Sequence, residues 1–138
     1  MKNLIKKYDE KGFTLMEMLI VVAIIAILVA IAFPIFNKQL NNARVATDAA
    51  NIRSGYAVAT ANVLQDGDLT KGNTLQKDGS VAESGNNDYL TQGKAEDGDD
   101  KNGAVIKSLG SCGITTGWDK DAKVTYTYKN DKVTASVK

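Results

Sequence analysis

The sequence has no histidine and only one cysteine, Cys112, in 138 residues. Histidine is the commonest general base at neutral pH and the commonest metal ligand, and a lone cysteine cannot form an intramolecular disulfide. The remaining residues show no nucleophile–base pair and no metal-ligand cluster, so an enzyme is the least favoured class and no cofactor is expected. Because cysteine packs as a small hydrophobe, we predict that Cys112 is buried.

Neither sign of charge is in excess, since 17 Lys and Arg face 16 Asp and Glu. A nearly neutral chain gives no reason to expect nucleic acid or an acidic polymer as the main partner. Base stacking by Trp118 and the tyrosines leaves nucleic acid open, but packing in a core is favoured for these aromatics. The length suits one domain of ordinary size.

Charge is missing altogether from residues 18–36, which are almost wholly aliphatic. About 20 apolar residues cross the hydrocarbon core of a bilayer, so residues 13–36 predict a transmembrane helix. Lysine is concentrated before this run, which predicts a cytoplasmic N-terminus and an outer C-terminus. The leading lysines are Lys2, Lys6, Lys7 and Lys11.

Residues 37–65 are polar but keep a helical repeat of apolar side chains. Spacings of three and four predict one buried face of an amphipathic helix, continuous with the apolar run. Gly55 alone interrupts this pattern after Pro34. The repeating positions are Val45, Ala49, Ile52, Tyr56, Ala59 and Val63.

Residues 66–138 predict a globular head that begins with a Gly- and Asp-rich loop to residue 103. Strands are predicted at 104–109, near Ile114, at 123–128 and at 132–137, with a hairpin turn at 129–131. The predicted fold is α+β: a long bent N-terminal helix, transmembrane in its first half, on a small antiparallel sheet. Calcium is a weak alternative to a solvated turn at Asp97, Asp99, Asp100 and Asn102.

The most specific motif is the segment from Lys11 to Glu17, KGFTLME, which leads directly into the apolar run. An ordinary signal peptide cleaved after residues 30–32 is one alternative, and an uncleaved signal anchor is another. Against the first, the run exceeds the usual signal core and starts with an acidic residue, Glu17.

This motif resembles the signal of type IV pilins and pseudopilins, in which a short basic leader ends in glycine before phenylalanine, with glutamate as fifth mature residue. The resemblance implies that prepilin peptidase removes residues 1–12 by cutting between Gly12 and Phe13. It also implies that Phe13 becomes N-methylphenylalanine. A glycine at the cut allows close approach of a protease to the backbone.

Glu17 is unusual because a carboxylate at bilayer depth costs about 2.5–3.5 kcal/mol on insertion scales. The resemblance implies that its partner is the free amine of Phe13 on a neighbouring subunit, and an interfacial side chain in water is the alternative. Pro34 removes a backbone hydrogen bond, so a kink is expected near residues 30–34. The resemblance implies that Phe13, Glu17 and Pro34 act in assembly.

The resemblance implies a structural subunit that leaves the cytoplasmic membrane and polymerises into a surface pilus for adhesion, motility or DNA uptake. Its implied partners are other subunits, prepilin peptidase and, indirectly, the assembly platform and its ATPase. A pseudopilin of a competence or type II secretion system is the alternative within this class. A signal-anchored surface binding module is the alternative outside it. The missing cysteine pair, common in Gram-negative pilins, favours a Gram-positive source.

Overall fold

The computed structural model describes residues 12–138, which form two compact units: one ends at Phe36 and the other is Asn37–Lys138. Helix α1 (Leu15–Asp66) belongs to both. The prediction of a leader at residues 1–12 therefore falls, apart from Gly12, outside the described residues. The boundaries predicted for the long helix, 13 and 65, differ from the observed ones by two residues and one residue.

The first unit is the apolar part of α1, and all of its described side chains are exposed. Its length and composition are sufficient to cross a membrane, with a mean hydropathy of 3.2 in its most apolar 18-residue window. Pro34 lies inside the helix, where its ring nitrogen has no hydrogen to donate to the carbonyl of Ala30. The kink expected there stays a prediction.

The second unit contains four strands, β1 (Thr74–Leu75), β2 (Val81–Ala82), β3 (Val124–Lys129) and β4 (Lys132–Val137). They form one antiparallel sheet in the order β2-β1-β3-β4. The α+β class is confirmed. The predicted C-terminal hairpin is also present, but its turn is one residue shorter because Lys129 pairs with Lys132. Asn130 and Asp131 both have positive φ, as a two-residue type I′ turn requires.

The core of this unit forms between the predicted helix face and the alternate residues of β3. Val45, Ala49, Ile52 and Ala59 are buried, whereas Tyr56 and Val63 pack at its edge and stay partly exposed. The predictions that Cys112 and Trp118 are buried are both confirmed. Their side chains are each 4% exposed, so the Trp118 ring is not available to stack on a nucleic-acid base.

Gly55, which interrupts the apolar pattern of α1, provides space for an aromatic ring. A Cβ atom at this position would collide with the phenol of Tyr126 on β3. The Tyr126 hydroxyl donates a 2.8 Å hydrogen bond to the carbonyl of Ile52. Burial raises the pKa of this phenol, which therefore stays a donor. The glycine thus allows the strand and the helix to approach each other closely.

Two of the predicted strands are wrong. Residues 104–109 lie mostly in helix α2 (Asp100–Ser108), because the Asp99 carboxylate caps it by accepting hydrogen bonds from the N–H groups of residues 101 and 102. Asn102, Ile106 and Leu109 are buried at helical spacing. Ile114 is buried but follows a 3₁₀ turn (Gly110–Cys112) and the left-handed Gly113, so no strand forms there.

Asp48, which the sequence prediction missed, holds the Gly- and Asp-rich loop (residues 66–103) against α1 by hydrogen bonds. Its carboxylate is fully buried and accepts hydrogen bonds from the N–H groups of Gln92 and Gly93 at 2.9–3.0 Å. The Tyr89 hydroxyl donates a third, at 2.6 Å. Gly93 is required here because a Cβ would meet the backbone nitrogen of Val45 at 2.8 Å. The predicted long loop is therefore tied to the helix core.

Asp88 forms a second polar cluster, which joins the Gly- and Asp-rich loop to Lys123, the residue before β3. Its carboxylate is 2.7 Å from the Lys123 ammonium and accepts hydrogen bonds from Ser84, the Gly85 N–H and Gln76. The ammonium, followed by the Gly85 and Ser84 donors, holds the pKa of Asp88 far below its usual range. The ionised form therefore stabilises the fold.

Lys123→Met should weaken the acid dependence of stability. A carboxylate with a depressed pKa stabilises the fold fully above its unfolded pKa of about 3.9, and this contribution is lost as pH falls below that value. The melting temperature of the wild type should therefore fall more steeply between about pH 4 and pH 2 than that of the variant. Lys129→Met, at an exposed position, is the control. Parallel curves for all three proteins would contradict the assignment.

Candidate processing and assembly site

The first turn of α1 is closed by two reciprocal hydrogen bonds between Thr14 and Glu17. The Glu17 N–H donates to the Thr14 hydroxyl at 3.2 Å, and the Thr14 N–H donates to Glu17 Oε2 at 2.7 Å. The N–H of Met18 donates to the Thr14 carbonyl at 3.2 Å, which makes Thr14 the N-cap residue. This arrangement is a capping box, and it satisfies two N–H groups that a helix end otherwise leaves free.

The capping box gives Glu17 a partner within its own chain. Its carboxylate also lies near the positive end of the α1 dipole, although this is worth only about 0.3–1 kcal/mol. From the sequence we expected Glu17 to need a cation as its partner. The Thr-x-x-Glu pattern, a recognised signal for the start of a helix, was missed. Glu17 therefore has two separable properties: a hydrogen-bond acceptor that shapes the helix start, and a negative charge.

The predicted cleavage junction lies just before this turn. Gly12 and Phe13 are in neither helix nor strand, and the Phe13 side chain is 79% exposed. Both residues precede the first helical hydrogen bond, so the peptide bond between them is outside the helix. Both residues are exposed, so the junction is accessible to solvent.

The structure brings Phe13, Thr14 and Glu17 together at one helix end but does not place Pro34 with them. Pro34 is 17 residues beyond Glu17 on the same helix, which corresponds to about 26 Å of axial rise. Any role of Pro34 in assembly must therefore depend on the shape of α1, such as a bend, and not on contact with Glu17.

Between Glu17 and Pro34, helix α1 presents a continuous apolar surface. Ile20, Ile27, Leu28 and Phe33 are each more than half exposed, as are most of the large side chains around them. Exposed apolar patches of this extent mark a membrane or protein contact surface in soluble and membrane proteins alike. The surface runs around the helix, so it is suited to contact with several neighbours at once.

Two of the three acidic residues considered for calcium, Asp97 and Asp99, have other partners in the structure. Asp99 caps α2, and Asp97 accepts a hydrogen bond from the Gly117 N–H. Lys38 forms a 3.2 Å ion pair with Asp99. Among residues 12–138 no group of three or more His, Cys, Asp or Glu side chains is arranged to hold a metal ion.

Comparisons with known proteins give one family model and several relatives. Residues 7–33 match the family model of the prokaryotic N-terminal methylation motif. Type IV major fimbrial protein FimA of Dichelobacter nodosus is 38% identical over 113 residues, which cover 71% of this chain and 66% of that protein. The chain belongs to the type IV pilin family.

A second pilin, the type IV narrow pilus major component PilA5 of Thermus thermophilus, is 57% identical over 53 residues. That match covers 36% of this chain and 46% of PilA5. The chain thus spans between about half and two thirds of the length of these two pilins. No solved structure matches it. The relatives are named as a major fimbrial protein and a major pilus component, and the matched methylation motif extends over the beginning of α1.

Proposed function

We propose that this chain is the structural subunit of a type IV pilus, polymerised through residues 13–36 after removal of residues 1–12. The observation that carries the proposal is the methylation motif at residues 7–33, which includes most of a fully exposed apolar helix. A pilin precursor needs both: a site for prepilin peptidase, and a helix that is stable in lipid before assembly and against other helices after it.

Two environments can cover the apolar surface of α1: the membrane before assembly and the filament after it. In the membrane, the helix satisfies its backbone groups internally and its side chains contact lipid. In a filament, the same side chains pack against those of other copies, and the apolar surface stays out of water. When contacts with other helices replace contacts with lipid, the apolar area exposed to water changes little. Polar groups such as Glu17 therefore determine which helices pair and in which register.

The precursor in this proposal is a single-pass protein of the cytoplasmic membrane with its N-terminus inside. The concentration of lysine before the run supports that orientation. Prepilin peptidase, the assembly platform and its ATPase are the proposed machinery, and Phe13 is the proposed site of N-methylation. The pilus on the cell surface is the final location.

Exported protein should begin at Phe13 and carry one methyl group on its N-terminal amine. The Gly12–Phe13 bond lies outside α1 and is accessible, so cleavage needs no unfolding of the helix. Intact-mass measurement of protein sheared from cells tests this, with unprocessed protein from cells lacking the peptidase as the reference. A chain that begins at Met1 or at Phe33 would contradict the processing step.

Electron microscopy of the same sheared material tests polymerisation. Abundant filaments built from this chain are expected for a major pilin. Correctly cleaved protein that stays in the membrane, without surface filaments, would instead indicate a pseudopilin. Uncleaved monomers would indicate a surface module held by a signal anchor.

A further inference from the structure

A polar cavity of about 480 Å³ lies at the beginning of the second unit, between α1 and the segment that leads into α2. Its charged lining residues are Lys38, Lys94, Glu96 and Asp99. One wall is fixed by Asn41, whose side-chain amide donates to the Lys94 carbonyl at 2.8 Å and accepts from the Lys94 N–H at 2.9 Å. The backbone around the cavity is therefore held to the helix.

The four charges form two ion pairs and sum to zero. Lys38 lies 3.2 Å from Asp99, and Lys94 lies 3.2 Å from Glu96. Lys94 also lies 3.9 Å from Asp119, which does not line the cavity. The two lysine side chains are 69% and 55% exposed, and pairs of this kind contribute little to stability. A ligand that carries both charges can therefore replace them at small cost, by giving each ammonium an anion and each carboxylate a cation.

Two asparagines line the same cavity with unused hydrogen-bonding capacity. Asn102 is only 4% exposed, and its side-chain amide makes no hydrogen bond to any residue in the described range 12–138. The Oδ1 atom of Asn42 is fully buried and also has no partner there. Buried amides are normally satisfied, so the Asn102 amide has free capacity for a polar ligand in the cavity, whereas Asn42 Oδ1 is enclosed by protein.

The position of Lys38 identifies the source of such a ligand. It follows Phe36, the last apolar residue of the run, by two residues or about 3 Å of helix. In the membrane precursor proposed above, on which this step rests, residues directly after the apolar run lie at the level of the outer lipid headgroups. We propose that the cavity binds the headgroup of a phospholipid with a phosphate and a primary ammonium, as in phosphatidylethanolamine.

In this arrangement the lipid phosphate accepts hydrogen bonds from Lys38 and Lys94, and the lipid ammonium donates to Glu96 and Asp99. The Asn102 amide supplies a donor to the phosphate or an acceptor to the ammonium. An anionic headgroup without an ammonium, such as phosphatidylglycerol, leaves both carboxylates beside a negative charge. The neutral cavity therefore discriminates between headgroups by charge pattern and not by net charge.

The test uses the uncleaved full chain at one copy per lipid nanodisc, in phosphatidylglycerol alone or mixed with increasing phosphatidylethanolamine. The side-chain amide resonances of Asn102 should shift in a saturable manner with phosphatidylethanolamine, and those of Asn62 should not. Lys94→Gln should weaken the apparent affinity about tenfold, through loss of one charge-assisted contact. Lys101→Gln, an exposed change that does not line the cavity, is the matched control and should have no effect.

Unchanged Asn102 resonances would overturn the proposal. An equal response to inorganic phosphate in phosphatidylglycerol discs would also overturn it, since the cavity would then be a general anion site. A response only in discs that hold two copies would indicate contact between copies instead. Cleavage at Gly12 and filament yield are scored separately, so a failure of headgroup binding is distinguishable from a failure of the pilin function.

Discussion

Filament yield should fall at least tenfold when Glu17 is replaced by alanine, while the amount of protein in the membrane stays constant or rises slightly. Removal of the carboxylate relieves an insertion cost of about 2.5–3.5 kcal/mol, so a simple membrane anchor gains from the change. A filament subunit loses, because the proposed partner, the amine of Phe13 on a neighbour, is left unpaired in apolar surroundings at a cost of several kcal/mol. A tenfold loss needs only about 1.4 kcal/mol of this.

The capping box of Thr14 and Glu17 makes it possible to separate charge from helix capping. Glu17→Gln retains an acceptor for the Thr14 N–H, since glutamine also serves in a capping box, but removes the charge. Thr14→Ala removes the cap, at about 1 kcal/mol, and retains the charge. We expect filament yield to decrease from wild type to Glu17→Gln to Glu17→Ala, and the yield of Thr14→Ala to be near that of wild type.

The measurement compares membrane content with sheared filament yield for these variants, after intact mass has shown that each is cleaved after Gly12. If Thr14→Ala reduces yield as much as Glu17→Ala, the role of Glu17 is to start the helix. Normal yield from correctly cleaved Glu17→Ala would remove Glu17 from assembly and favour the alternative in which its head lies in interfacial water.

The parts of this fold that could be predicted from sequence are those set by periodicity. The spacing of Val45, Ala49, Ile52 and Ala59 fixes the buried face of α1, because a helix repeats every 3.6 residues. The hairpin could be predicted because alternation on β3 and β4 and the Asn130–Asp131 turn are local signals. The processing motif is equally local.

The incorrect parts depend on contacts between distant segments or on a cap that outweighs intrinsic preference. Val105 and Ile106 are β-branched and suggested a strand, but the Asp99 cap and the helical spacing of Ile106 and Leu109 select α2. Tyr89 lies 41 residues from Asp48, and no short-range pattern links the two. Asp48 could still have been singled out, because a carboxylate three residues after Val45 lies on the buried face and needs a partner.

Asp48→Ala should lower the free energy of unfolding of the second unit by about 3 kcal/mol or more. The change leaves three buried donors, the N–H groups of Gln92 and Gly93 and the Tyr89 hydroxyl, without their acceptor, at about 1–3 kcal/mol each where water cannot replace it. For a unit of this size the melting temperature should fall by roughly 10–20 °C. Asp48→Asn keeps one oxygen but directs an amide N–H group toward a backbone donor, so a smaller decrease is expected.

Thermal melting of the full chain in detergent micelles tests the size of this effect, with Asp66→Ala, an exposed change on the same helix, as the control. Hydrogen exchange tests its location. The amides of Gln92 and Gly93 should exchange much faster in the Asp48 variants, while those of β3 and β4 change in proportion to global stability alone. If protection of these two amides persists, other acceptors hold the segment to α1, and Asp48 is not the residue that fastens it.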